Sequence, residues 1–362
     1  MPTRQPYAQT GDQIAVVSQS GPTITFFDAT DHRILSVLEV PSEPHELCFD
    51  PDHRVVYCSH TYFEGFYDGN TGRHHLLTVV DADTHEVVDT IDVSPEHGPH
   101  GFALDRSRSL LYVSLESGPA GPGGVLVLDT NTRTILGRVD SEAPGPHWYL
   151  IDPDGARGYA SNKEAGFVSV LDLNTRTLVD KWPVPGSEGI AISPDGSTLA
   201  VAAPKANLGR LAAAPGVRLF DTSTGELVRV LATDDVVVPL NWTVDGVLLA
   251  GMVGTPTPDN ADENGVINPF AMTDPPPGQL LVWTGNTPRE MELVGRAEVS
   301  AFPLTLLSSP DGKVAYVSAI AGSVLSVIDI SVPDRPVVLD SIAIPHLLAA
   351  GAHGLAYIPV PA

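Results

Sequence analysis

"HWYLIDPDGARGYASN", residues 147–162, is an apolar run, a Pro-Asp-Gly turn and a second run ending in Tyr-Ala-Ser. The same frame returns in "EGIAISPDGSTLAVAA" (188–203), "LTLLSSPDGKVAYVSA" (304–319) and "HELCFDPDHRVVYCSH" (45–60). "HGFALDRSRSLLYVSL" (100–115) and the more divergent "VPLNWTVDGVLLAGMV" (238–253) align to it. Each copy is followed by a second hairpin, such as "FVSVLDLNTRTLVDKWPV" or "GVRLFDTSTGELVRVL", whose Asp-x-x-Thr turn separates runs of Val, Ile and Leu. Aliphatic runs bounded by such turns are the signal of strands and hairpins.

One unit is four strands in about 40–55 residues, the size of a propeller blade. Six units follow one another at 44–92, 99–139, 146–184, 187–231, 238–295 and 303–345. A seventh is split: 13–40 has three strands and lacks the innermost, while 351–362 holds one strand without partners. Joining the two ends completes that blade and removes the free edge. The prediction is an all-β, seven-bladed β-propeller of four-stranded blades forming one domain over 1–362. The "SPDG…YVS" units with "VLDLNTRTLV"-type hairpins resemble the YVTN-type seven-bladed β-propellers, which are related to the lactonase-like and cytochrome-cd1-like propellers. The resemblance covers nearly the whole chain and implies the fold. It implies no catalytic residue, because function resides in sites built onto a fold.

The chain has 362 residues, a formal net charge of −24 and a pI near 4.6. Binding to nucleic acid or to an anionic membrane needs a basic surface, so neither is expected. No apolar run approaches the roughly 20 residues of a membrane span. The start, "MPTRQPYAQTGDQ", lacks the basic and apolar blocks of a secretion signal, which predicts a cytoplasmic protein. A closed ring needs no partner to be stable, so a monomer is expected. Cys48 and Cys58 flank the turn "DPDH" and are read as reduced core thiols rather than a disulfide framework.

Registering the units on the turn Asp singles out the position seven residues before it. Around the ring that position reads His353, His45, His100, His147, Glu188, Val238 and Leu304. It lies where one blade crosses to the inner strand of the next, at a mouth of the central channel. Side chains distant in sequence therefore converge there. A single histidine before an inner strand is ordinarily a group facing channel water. The chain has 12 histidines in 362 residues, and four of them occupying consecutive equivalent positions exceeds that background. Copying of an ancestral blade offers a plainer origin for the pattern. Imidazole nitrogen suits Zn, Cu, Fe or Ni, and a carboxylate adds a harder donor. His45, His100, His147 and His353 are thus candidate ligands of a divalent transition metal (Fe, Cu or Zn), with Glu188 as a catalytic acid or base.

The long insertions 61–75, 204–216 and 254–278 open on the same face, which marks it as the working one. The first supplies Tyr62, Phe63, Phe66 and Tyr67, and the second carries Lys205 and Arg210. Tyr62, Phe63, Trp148 and Tyr149 are candidate substrate contacts, with packing between blades as the plainer role for Trp148 and Tyr149. His60 closes the second strand of its blade and is a candidate further ligand or proton-transfer partner. Glu116 and Glu164 fall on working-face loops; either could orient an imidazole, though solvation is the simpler expectation. His32, His53, His74, His75 and His85 fall in turns or insertions and are expected at the surface.

Gly-x-Ser-x-Gly, Gly-rich phosphate loops, His-Glu-x-x-His and Cys-x-x-Cys-His are missing, so no nucleotide cofactor and no c-type haem are expected. The leading expectation is a metal-dependent enzyme acting on a small organic molecule, with Val238 and Leu304 as an apolar wall. Fe or Cu would imply oxidative chemistry. In architecture, though not in motif, this is similar to the carotenoid-cleaving oxygenases, which hold iron through histidines in a seven-bladed propeller. Two alternatives stand beside it: a lactonase- or lyase-like acid–base enzyme, metal-free or using Zn, Mn or Mg, and a non-catalytic scaffold for a protein partner. An exposed apolar patch on the outer blade faces would favour the scaffold.

Overall fold

The computed structural model describes residues 8–65, 70–119, 121–205, 214–254, 275–347 and 351–361. They form seven four-stranded antiparallel sheets. Blade 1 pairs Ala352–Ile358 with Gln13–Ser18, Thr23–Asp28 and Ile34–Glu39, in that order from the axis outward. The first and last strands of the chain thus close the ring, Gln13 lying opposite Ile358. Blades 2 to 7 begin with the inner strands Pro44–Asp50, His97–Asp105, Pro146–Ile151, Ile190–Ile192, Val237–Trp242 and Pro303–Ser308. Each inner strand packs against the inner strands of its two neighbours. No helix among the described residues is long and apolar enough to cross a membrane.

Burial follows from this stacking. Every blade of a closed ring is covered on both faces, so the interior strands Val55–Tyr62 and Thr198–Ala203 are buried at every residue. The core is consequently a set of layers between adjacent blades. Tyr57, Leu77 and Val79 of blade 2, for example, pack on Leu111, Val113 and Leu126 of blade 3. Fully burying one such side chain stabilises the fold by about 1.5–3 kcal/mol. Outermost strands face solvent and expose one or two aliphatics each, among them Ile34, Val87, Ile135, Val179, Leu227, Leu293 and Val337. These are spread around the ring, one blade after another, rather than gathered into one patch.

The repeated turn residues have local causes. Gly155, Gly196, Gly246 and Gly312 adopt positive φ in the first-hairpin turn, a conformation that favours glycine. The turn Asp accepts a backbone N–H two residues on, as in Asp154 with Ala156 (3.1 Å) and Asp195 with Ser197 (3.0 Å). In the second hairpin, Asp81, Asp129, Asp172 and Asp221 each accept the N–H of the Thr three residues later. Cys48 and Cys58 are unpaired, and burial raises both thiols, Cys48 to about 12.

The expectation of surface histidines is corrected at three positions. His32 is buried and its Nδ1 lies 2.8 Å from Asp340 Oδ2, tying blade 1 to blade 7. His85 stacks on Phe26 of blade 1 at 4.1 Å between centroids, and its Nε2 is 2.7 Å from Gln13 Oε1. His74 is also buried. Histidine in these turns serves as a clasp, because a flat polar ring can cover a neighbouring blade while keeping one nitrogen hydrogen-bonded.

Candidate metal centre

The histidine positions lie in β-bulges of the inner strands. His45 and Glu46 together oppose the single residue Ser59, since Pro44 pairs with His60 and Leu47 with Cys58. His100 and Gly101 oppose Ser114, and His147 and Trp148 oppose Ser161, in the same way. His353 and Gly354 likewise oppose Val17. A bulge breaks the in-out alternation of a strand and re-aims a side chain. The serine of each "Tyr-x-Ser" run stabilises the bulge. Its hydroxyl accepts the N–H of Glu46 (3.1 Å, Ser59), Gly101 (2.8 Å, Ser114) or Trp148 (3.0 Å, Ser161). Ser114 also donates to the carbonyl of His147 in the next blade. The repeated serine is thus a fixture of the histidine site.

Four imidazoles converge as an arc. Ring centroids are 4.2 Å apart for His353 and His45, 4.3 Å for His45 and His100, and 3.8 Å for His100 and His147. All four are buried. One nitrogen from each of His45, His100 and His147 lies within 4.8 Å of the others. His353 stands outside that set. The carboxylate of Glu188 ends the arc, its Oε2 lying 3.3 Å from His147 Nδ1. Among the described residues, His45 Nδ1 and both nitrogens of His100 have no hydrogen-bond partner.

Burial drives the His45, His100 and His147 imidazoles well below the ordinary histidine value, and neighbouring imidazoles and the Lys163 ammonium push the same way. The rings are therefore neutral near pH 7 and retain a lone pair each. Neutral imidazole is the form that binds a metal.

Close approach at the arc demands glycine. A Cβ on Gly354 would lie 2.3 Å from His45 O and 2.7 Å from Glu46 Cα, both backbone atoms that cannot yield cheaply. Gly354→Ala is therefore expected to destabilise by roughly 1–3 kcal/mol, the range for overpacking, read as a lowered denaturant midpoint. A midpoint equal to wild type would contradict this crowding.

The remaining candidates separate clearly. His60 is buried, with Nδ1 on Ser42 O (3.0 Å) and Nε2 on Thr78 Oγ1 (2.9 Å). The carbonyl takes the ring proton and the Thr hydroxyl takes the lone pair, so His60 has neither left for a metal or a proton transfer. Phe63 is half exposed and packs on His74 at 4.8 Å, away from the arc. Tyr149 is buried between blades against Tyr112 and Ala160. Trp148 does reach the site: its ring lies 5.0 Å from His147, and it packs on the apolar wall of Val238, Phe302 and Leu304. Tyr62 meets His45 edge-on at 5.8 Å. Phe66, Tyr67, Arg210 and most of the 254–278 insertion lie outside the described residues.

His60 also sets a pH dependence. Burial lowers its pKa to about 4, against 6.5 in an unfolded chain. The unfolded state then binds the extra proton first, so stability is intact above pH 6.5 and falls as pH drops toward 4. The shift corresponds to about 3 kcal/mol. Urea unfolding at pH 7.5 and pH 4.5 should show His60→Gln losing less stability than wild type. Equal losses would remove His60 from the acid response.

Three further groups border the arc: Glu116, for which solvation was the simpler expectation, and Lys163 and Glu46, which the residue pattern left unmarked. Glu116 is buried rather than solvated, accepting Tyr62 OH (2.7 Å), Arg73 Nε (2.8 Å) and the Lys163 ammonium. Lys163 is buried too and lies 2.5 Å from Tyr62 OH. Glu46 Oε1 accepts Trp148 Nε1 at 3.0 Å across the channel. Glu164, by contrast, pairs with Lys205 at 3.0 Å near the surface. The register used for the histidines also aligns Thr61, Glu116 and Lys163, each two residues past the Ser, and so carried the signal for the ion pair.

No family model matches the sequence. Residues of this chain are 25% identical over 204 positions to the uncharacterized protein YncE of Salmonella typhimurium, covering 44% of this chain and 54% of YncE. The chain thus spans about half the length of the curated relatives it matches. In structure it is similar to the periplasmic gluconolactonase PpgL of Pseudomonas aeruginosa, with TM-score 0.68 and 18% identity over 97% of this chain and 99% of that one. A putative 6-phosphogluconolactonase of Bacteroides fragilis has TM-score 0.68 and 13% identity over 98% and 100% of the two chains. At these identities the structures speak for the fold. On repeat and ring together, the chain is a seven-bladed β-propeller, similar in sequence to YncE over part of its length.

Proposed function

We propose that the chain is a metal-dependent enzyme in which His45, His100 and His147 hold the metal and the substrate is a small organic molecule. The observation that supports this reading is a buried trio of neutral imidazoles whose His45 Nδ1 and two His100 nitrogens lack a protein partner among the described residues. Buried polar atoms are nearly always satisfied, so unpartnered nitrogens in a trio that brings one nitrogen from each ring within 4.8 Å point to a cation as their partner. Three neutral nitrogens leave a metal its positive charge and open positions, which supplies Lewis-acid chemistry, or redox chemistry for Fe or Cu. Glu188 steadies His147, Trp148 with Val238 and Leu304 gives an apolar wall, and Tyr62 with Lys163 and Glu116 borders the arc on the polar side.

The test is metal content after exposure to Zn, Fe(II), Cu and Mn followed by desalting. One equivalent in the wild type, lost in His147→Ala, is expected. Absence of any retained metal would end this reading. A second reading, acid–base attack on a lactone without metal, draws on the His147–Glu188 contact and on the gluconolactonase among the structural neighbours. Hydrolysis of gluconolactone that survives chelation, and is lost in Glu188→Gln, would favour it. The scaffold reading finds little support, because exposed outer aliphatics are dispersed around the ring.

A further inference from the structure

Glu46 occupies the bulge position after His45, where its carboxylate points across the channel and touches three other blades. Its Oε1 accepts Trp148 Nε1 of blade 4 at 3.0 Å, lies 3.3 Å from His353 Nδ1 of blade 1 and receives the Thr305 hydroxyl of blade 7 at 3.5 Å. Thr305 Oγ1 is also 3.4 Å from His353 Nδ1. With its proton directed at Glu46, the Thr305 hydroxyl is an acceptor toward the ring. Both neighbours of His353 Nδ1 are then acceptors, which fixes the hydrogen on Nδ1 and leaves the lone pair on Nε2. Gly101 and Gly354 make room for the crossing, since a Cβ on Gly354 would meet Glu46 itself and one on Gly101 would meet the Trp148 backbone. The carboxylate is buried, so the arrangement belongs to the interior rather than to a solvated surface.

We propose that Glu46 is the positioning residue that holds His353 with Nε2 free at the end of the arc, so that an inward turn of a ring now standing outside the 4.8 Å set would make it a fourth nitrogen donor to the metal of the three-histidine site. This rests on the metal reading above and extends it. A carboxylate behind a ligating imidazole sets its tautomer and raises its basicity, and loss of such a partner typically weakens metal binding by about 10–100-fold. His147 has Glu188 in the same relation at the other end of the arc, so each terminal imidazole is backed by a carboxylate. Among the described residues, the two central rings, His45 and His100, have none.

The first measurement uses the wild-type protein. Nitrogen NMR of histidine-labelled protein reads the tautomer of His353 without metal and its response to Zn(II). The expected result is hydrogen on Nδ1 and a zinc-induced shift of Nε2. A His353 that carries its hydrogen on Nε2, or that does not respond while His45, His100 and His147 do, overturns the proposal and leaves the three-histidine reading intact. Silence from all four rings defeats both. The second measurement is a double-mutant cycle in Co(II) affinity. Glu46→Ala and His353→Ala should each weaken binding by about 10–100-fold, and the double variant should be no weaker than His353→Ala alone. Additive losses would show that Glu46 acts independently of His353.

Discussion

Replacing His100 with leucine is expected to yield a folded ring that has lost its metal and is no less stable without it. The imidazole is fully buried, lies 3.8 Å and 4.3 Å from its two neighbouring rings, and finds a partner for neither nitrogen among the described residues. Each unsatisfied buried polar group costs about 1–3 kcal/mol, whereas an apolar side chain of similar size removes that penalty. The metal-free His100→Leu protein should therefore match or exceed wild type by about 1–2 kcal/mol in urea unfolding. Metal affinity should fall by more than the roughly 100-fold that follows loss of an outer partner, because a donor itself is gone. The two readouts moving in opposite directions are the mark of a residue kept for a site rather than for packing. A His100→Leu protein that is clearly destabilised and still holds metal would reverse the assignment.

Glu116→Ala is expected to produce the largest loss of stability among the polar residues around the arc. The carboxylate receives Tyr62, Lys163 and Arg73 while wholly shielded from water, and its side chain is 0% exposed. Removing one partner of a buried ion pair typically costs about 3–5 kcal/mol, because the remaining charge stays desolvated. Arg73 is about one-third exposed and recovers solvent; Lys163, at 2% side-chain exposure, does not. Glu116→Leu combined with Lys163→Met should restore most of the loss, since apolar replacement of a whole buried pair is often neutral. Denaturant midpoints of Glu116→Ala and of the Glu116→Leu/Lys163→Met double variant decide it. A Glu116→Ala loss under about 1 kcal/mol, the worth of an exposed pair, would mean that water reaches the cluster.

The ring itself was legible from residues alone, because its signals are local. The Asp and Gly of each turn are read by backbone conformation within a few residues, and split-blade closure follows from counting strands. The convergence of His353, His45, His100 and His147 was legible for a related reason: a repeat converts register into geometry. What escaped was everything that depends on a break in the alternation. Two successive residues of an ordinary strand face opposite sides, so a reading by alternation sends Glu46 away from His45; the bulge keeps both at the channel. Trp148 borders His147 while Tyr149 packs between blades for the same cause, since the alternation resumes only after the bulge. His60 looked like a ligand by its spacing, and its hydrogen bonds to Ser42 and Thr78 are tertiary facts that spacing does not encode. The register sets Glu116 and Lys163 at equivalent positions of adjacent blades, but it does not encode the reach that carries Lys163 on to Tyr62 of blade 2.

The pairing of Gln13–Ser18 with Ala352–Ile358 gives the candidate centre a place in time as well as in space. His353 belongs to the C-terminal strand that seals blade 1, while Glu46 and His45 belong to the second blade, so their contacts form beside the seam of the ring. Contacts this distant in sequence are made late, after most loop-closure entropy has already been lost. An unsealed chain could carry every other blade and still lack this corner of the site. The candidate centre is therefore incomplete until the circle is shut, and a ligand gripping both sides of the seam would slow its reopening.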